Sequence, residues 1–305
     1  MTTDELLSLP LAALAASGNA LANVMQRKAG LEQGTDKPFG PAFLFDLVRR
    51  PTWLLGFFGL VASFALQAAA LGLGSLAAVE TVITLEVPLT LLVASRVFAA
   101  RLGRQEWAGI LVMTGGAILL IAMLNPQPGS ETGVSNYLYA VAGGGTAGTI
   151  ALLVLGSRRG HGLWRTGCLG AAAGTSFGLT ATMIKETIAQ GEQSGLVAIF
   201  STWQTYTAVG FGIAGLVFVQ WALHTGPLLA AQPGFTLMDP LVSILWGVLI
   251  FDETVRSGPW LAGATVGGLA VGLGVFLLSR SPLLSALNEE GDDDSLLRAA
   301  PQPAR

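Results

Sequence analysis

Charge is scarce in this sequence: Asp, Glu, Lys and Arg make up 11% of its 305 residues, where soluble domains carry about 25%. That deficit argues against a soluble globular protein. A chain that is 52% hydrophobic needs more polar surface than this to hide its apolar groups from water. Cysteine is nearly absent as well. Cys168 stands alone within a hydrophobic run, so no intrachain disulfide forms and no thiolate metal cluster is suggested. Histidine occurs only as His161 and His224, both in loops, which leaves no convergent set for catalysis. A phosphate-cradling G-x-x-x-x-G-K-[S/T] pattern is missing, and ATP-driven pumping loses its sequence support with it. Met1 to Ser8 holds two acids and no base, unlike the basic head of a cleaved signal peptide. The first apolar segment therefore reads as a membrane helix.

What the sequence has in plenty is long apolar runs and 40 glycines. Hydrophobic windows fall at about 9–27, 53–73, 75–97, 106–124, 136–156, 163–185, 201–223, 227–251 and 259–279. Each is long enough to cross a bilayer as a helix. The expectation is an all-α integral membrane protein of about nine transmembrane helices. Gly143-Gly144-Gly145, Gly115-Gly116 and Gly263, Gly267, Gly268 and Gly272 give small-residue faces that let helices approach closely, or let two copies form a homodimer.

Between the first two windows, Phe43 to Val48 fits a short helix lying in the membrane interface. After Arg280 the run Glu289-Glu290 and Asp292-Asp293-Asp294 reads as a disordered acidic tail over 281–305. With nine crossings the loops alternate sides, and 14 of the 16 basic residues fall on one side, leaving Lys185 and Arg256 for the other. The positive-inside rule then puts the N-terminus outside and the C-terminus in the cytoplasm of a plasma-membrane protein.

The chain also repeats itself. Residues from Ala70, ALGLGSLAAVETVITLEVPL, align without a gap on those from Ala222, ALHTGPLLAAQPGFTLMDPL. Gly74 meets Gly226, Thr84 meets Thr236 and Pro88 meets Pro240; one residue of slip later, Phe98 meets Phe251 and Trp107 meets Trp260. Repeat one spans about 9–124, a linker helix 136–156, and repeat two 163–280, all within one membrane domain of residues 1–280. An odd number of crossings separates the copies, so the second is inverted. Inverted repeats with broken helices near the midplane are the architecture of alternating-access secondary transporters.

Several motifs carry a resemblance: Gln67-Ala-Ala-Ala-Leu71, Glu80, Pro88 and Trp107-x-Gly109 in the first half, then Gln220-Trp-Ala-Leu223, Asp239-Pro240, Glu253 and Pro259-Trp260 in the second. Over residues 9–280 the chain resembles the drug/metabolite transporter superfamily. The nine-helix count and Gly178-Leu-Thr-Ala-Thr-Met-Ile-Lys185 look more like its NIPA-type magnesium transporters than its ten-helix EamA-like branch. The resemblance implies a transporter fold and leaves the cargo open, since such families move amino acids, nucleotide sugars and small cations.

Asp239-Pro240 sits near the middle of the eighth window. An acid at membrane depth is costly and normally faces a cavity or a partner, and proline frees an upstream carbonyl. The segment is either a kinked helix with a satisfied polar residue or a broken helix lining a path. Pro233 repeats the weakness, and Pro88 marks the matching point of the other half. Gln232, Thr236, Asp239 and Ser243 are spaced by four, three and four, which puts them on one helix face. Glu80 and Thr84 occupy the corresponding face of helix three, with Glu86 about 120° away. Asn19 and Asn23, one turn apart on helix one, fit substrate contact or interhelical hydrogen bonding equally. Gln67 and Gln220 read as packing residues. Lys185 fits an ion pair with Glu186 at the membrane edge, or an anionic substrate.

The function expected is a secondary transporter of a small molecule or cation, driven by a gradient, with a buried acid as proton carrier. Mg²⁺ is one candidate cargo, since it keeps several waters and needs only one or two carboxylates, here Asp239 and Glu80. A small amine is another. Neither an enzymatic role nor a cofactor nor a nucleic-acid partner is expected. A non-transporting membrane scaffold or sensor and an intramembrane lipid-modifying enzyme are the alternatives.

Overall fold

A computed structural model describes residues 3–31, 49–129, 136–160, 162–225, 228–281 and 283, and among these residues there are eleven helices. In chain order they are α1 (Thr3–Leu31), α2 (Pro51–Leu73), α3 (Leu76–Ile83), α4 (Glu86–Val97), α5 (Arg104–Leu124), α6 (Asn136–Arg159), α7 (Leu163–Ser194), α8 (Leu196–Ser201), α9 (Trp203–Thr225), α10 (Leu228–Ile250) and α11 (Pro259–Ser279). Taking α3 with α4 as one crossing, nine segments among the described residues are long and apolar enough to span a membrane. They coincide with the nine hydrophobic windows. The short α8 was not foreseen, and α7 runs nine residues past its apolar window because Glu186, Gln190 and Glu192 continue a helix that hydropathy alone ends too soon. Phe43 to Val48, His161, Gly226 and the acidic tail lie outside the described residues.

Side chains that a soluble protein would hide stand on the outside of this bundle. Phe58 is 62% exposed, Leu111 67% and Leu269 69%, which is the surface a hydrocarbon solvent requires. The inside is made of small residues. Ala12, Ala15, Ala16 and Ala20 of α1 are fully buried, and α7 lays Gly170, Gly174 and Gly178 against the backbone of α10 at Ala231, Phe235 and Asp239. A methyl at Gly174 would stand 2.5 Å from the Phe235 carbonyl oxygen, so only glycine admits this approach. The α5–α11 pair has a similar seam. Gly116 faces Gly267 and Val271, Gly274 faces Met113, and Gly263 faces Met123. Gly115, Gly143, Gly144 and Gly268 instead meet nothing within 4 Å of where a Cβ would be. The small-residue faces expected from the sequence are therefore divided, part closing seams within the chain and part left open.

The packing has an internal order. In the first half, α1 packs on α2 and on α3–α4; in the second, α7 packs on α9 and on α10. In both, the first helix runs parallel to the third: Ser8 of α1 lies at Gly74 while Asn19 reaches Glu86, and Gly170 to Gly178 climb alongside Ala231 to Asp239. Between the halves, the matched helices α5 and α11 run antiparallel, with Gly109 at Leu278 and Gly263 at Met123. The backbone repeats one unusual detail. Ala99 and Asp252, each the residue after the matched Phe98 and Phe251, both have φ of 52°, a left-handed conformation that non-glycine residues rarely adopt.

Candidate functional site

The third crossing is broken where Pro88 removes a donor. Leu85 N–H turns to Val82 O (3.0 Å) and Val87 N–H to Thr84 O (3.3 Å), three-residue bonds that tighten the chain between α3 and α4. Thr84 Oγ1 donates to Thr81 O (2.7 Å), satisfying one carbonyl at the break. The matched α10 behaves differently. It is helical without interruption from Leu228 to Ile250 with Pro233 and Pro240 inside it. The opening therefore forms at 84–88 in the first half, and the helix break that Asp239-Pro240 and Pro233 made one of two expectations does not form at 233–240. Pro240 still leaves Thr236 C=O without its usual donor, but α10 is pressed along the glycine seam of α7 and held in line.

The break re-aims the acids of this crossing. Glu80, in α3, is 1% exposed and accepts a hydrogen bond from Gln67 Nε2 of α2 (3.0 Å). It lies deep in the bundle and not at a cavity mouth. Glu86 opens α4, and its two carboxylate oxygens accept from Asn19 Nδ2 (3.1 Å) and Asn23 Nδ2 (2.7 Å) of α1. The asparagines therefore make the interhelical bonds. Glu86 is half-buried and Asn23 exposed, so Glu86, not Glu80, is the more accessible acid. The 120° offset between them assumed one continuous helix, and it lapses at Thr84–Leu85.

Opposite them, the face of α10 carries the stripe read from the spacing. Gln232 Oε1, Thr236 Oγ1, Asp239 Oδ1 and Ser243 Oγ are all buried without a hydrogen-bond partner. By helix rise this row is about 16 Å long. Asp239 lies close enough to Glu80 and Glu86 for both carboxylates to act on it electrostatically. Among the described residues, no lysine or arginine is within ion-pair distance of any of the three acids. Three carboxylates from two halves of the chain thus share one region without a basic partner, at a depth where uncompensated charge is costly. No group of three or more His, Cys, Asp or Glu among the described residues converges closely enough to hold a metal. A hydrated ion on two carboxylates is the only form in which Asp239 and Glu80 would meet Mg²⁺.

A cavity of about 320 Å³ lies on the neighbouring flank of α10, lined by Gly145, Thr146, Thr175, Met238, Val242 and Trp246 among others. It is apolar, and Trp246 Nε1 donates to Thr146 Oγ1 (3.1 Å) at its edge. Gln220 is exposed while Gln67 is tied to Glu80, so the two matched glutamines do not play one role.

The sequence reading missed the partner of Lys185. Lys185, 1% exposed, donates to Gly74 O (2.6 Å) and to Glu253 Oε1 (3.3 Å). Glu186 turns instead to Tyr139 Oη, which donates to it, and to Gln190 Nε2 (2.9 Å). An ion pair between neighbours Lys185 and Glu186 is excluded by their directions on the helix, about 100° apart. A signal was present: Lys185 and Glu253 are both charges within or beside apolar runs, on opposite flanks of the second half.

Comparison with known proteins adds a relative without a role. The chain is 26% identical over 262 residues to an uncharacterized protein of Corynebacterium glutamicum, covering 84% of this chain and 89% of that one. No family model matches the sequence, and no solved structure matches the fold.

Proposed function

We propose that this chain is a secondary transporter of the drug/metabolite transporter type, built from two inverted four-helix repeats around the linker helix α6, that carries a small cation through the region between α3–α4 and α10. The observation that carries the reading is an acid group without a basic partner among the described residues: Glu80 and Glu86 lie within electrostatic range of Asp239, which belongs to a stripe of buried oxygens on α10 that have no hydrogen-bond partner. Buried acids of this kind need a positive charge, and a proton or a cationic cargo supplies it. The antiparallel course of α5 and α11, the matched packing of the halves and the shared left-handed residue at Ala99 and Asp252 support an inverted repeat, which is the frame alternating access uses. The basic-residue asymmetry orients the N-terminus outside a plasma membrane. A protonated amine suits the site better than a bare divalent ion, because single oxygens spaced along a helix match N–H donors and no tight acid cluster is present.

Uptake and counterflow in proteoliposomes, comparing Mg²⁺ with a panel of amines and amino acids, tests this. Saturable, gradient-driven flux of at least one amine, lost in Asp239→Asn, is the expected result. Absence of flux for every solute in correctly folded protein overturns it in favour of a scaffold.

A further inference from the structure

The loop that follows α10 reaches across the molecule to the start of α3. Glu253, 2% exposed, lies on the N-terminus of that half-helix: Leu76 N–H donates to its Oε1 (2.5 Å) and Ala77 N–H to its Oε2 (3.2 Å). These are two of the orphan donors every helix start presents, and a carboxylate there also meets the positive end of the helix dipole. Lys185 of α7 closes the arrangement by bonding both Glu253 and Gly74 O, the carbonyl just before α3. Gly247 leaves the space, since a methyl there would stand 2.5 Å from Glu253 Oε2. A strap from the end of α5 covers the same loop, with Gln127 N–H donating to Thr254 O (2.9 Å) and Thr254 N–H to Gln127 O (3.3 Å).

Among the described residues the lock is seen in one copy of the repeat. Ala99 and Asp252 share the same left-handed turn, so the residue after each occupies the matched place. In the second half that residue is Glu253; in the first it is Ala100, which has no charge to offer a helix start. The backbone device is repeated while the ion pair is not. The eight-residue α3 is bound by Glu253 at its start, carries Glu80 in its second half, and joins α4 through the tightened three-residue bonds at Thr84–Leu85.

We infer that Lys185 and Glu253 form a gate that shuts the bundle at the α3 N-terminal end, and that this end opens when Glu253 releases α3 to swing about Thr84–Leu85. Among the described residues the opposite end shows no matching lock. The inference deepens the transport reading, but its test needs no cargo, so failure to find flux and failure to find the gate are separate results. Ala78→Cys places a thiol beneath the strap, where Ala78 lines a small cavity with Ser8, Ser75 and Asn125. With Cys168 replaced by Ala, a membrane-impermeant maleimide is applied to each side of reconstituted vesicles, and folding is checked by size-exclusion profile. Labelling from the Glu253 side is expected to be slow in the parent and in Lys185→Arg, which keeps the pair. It should rise about tenfold in Lys185→Met/Glu253→Gln, which leaves no charge alone. Should that variant not fold, Glu253→Asp withdraws the carboxylate by one methylene and is expected to raise labelling severalfold. Unchanged labelling in either folded variant, or a rise of the same size from the opposite side, overturns the gate.

Discussion

Gly115 and Gly116 are neighbours in sequence and opposites in surroundings, and substituting each by alanine tests the packing directly. A methyl at Gly116 would stand 2.7 Å from Val271 N, 2.8 Å from Ala270 Cβ and 2.8 Å from Gly267 O. Ordinary carbon contacts need about 3.5 Å or more, so α5 and α11 would have to separate by roughly 0.7 Å. Two of those three atoms are backbone and cannot rotate away. The separation would propagate along the seam to Gly267 and Gly274, which are packed as closely: a methyl there would stand 2.7 Å from Leu120 N and 2.5 Å from Met113 Cβ. Overpacking of this kind costs about 1–3 kcal/mol. Gly115, with nothing within 4 Å, is free to accept a methyl, and removing a helix-interior glycine gains about 0.5–1 kcal/mol. At roughly 2 °C per kcal/mol for a chain of this size, Gly116→Ala should lower the unfolding midpoint by about 2–6 °C. Gly115→Ala should raise it by about 1–2 °C. Tryptophan fluorescence of the detergent-solubilised protein, scanned at one fixed rate, reads both. Equal shifts, or a larger loss at Gly115, would show that α5 and α11 do not meet along this seam.

Asp239→Asn keeps the shape of the side chain and removes its charge, so folding should persist while coupled flux in proteoliposomes falls to background. Glu80→Gln should be comparably severe, because Glu80 is buried and shares the acid group; flux unchanged in both would move the site elsewhere. Lys185→Met alone leaves Glu253 as an uncompensated buried charge and should destabilise by about 3–5 kcal/mol, whereas Lys185→Met/Glu253→Gln should cost less. Thermal midpoints decide this, and additive losses would argue against a coupled pair. Finally, Ser257→Cys and Arg101→Cys, both exposed and at opposite ends of the bundle, should label from opposite sides of the membrane, Arg101→Cys from the cytoplasm. Labelling of both from one side would refute the nine-crossing topology.

The sequence determined the spans, because crossing a bilayer is a local demand: about twenty apolar residues without charge make a helix whatever surrounds them. The stripe on α10 was legible for the same reason, since Gln232, Thr236, Asp239 and Ser243 share a face of one continuous helix and period alone places them. Tertiary structure decided everything that depends on which helix meets which. Pro88 and Pro240 look alike in sequence, yet one crossing breaks and the other does not, because the glycine seam of α7 braces only α10. Glu86 begins a second helix beyond the break at Thr84–Leu85, so the angle of a straight helix does not set its direction. Asn19 and Asn23 found their partner 67 and 63 residues away, and Lys185 found Glu253 across 68. Such pairings are fixed by the folding of whole helices against one another, and no pattern within a single segment contains them.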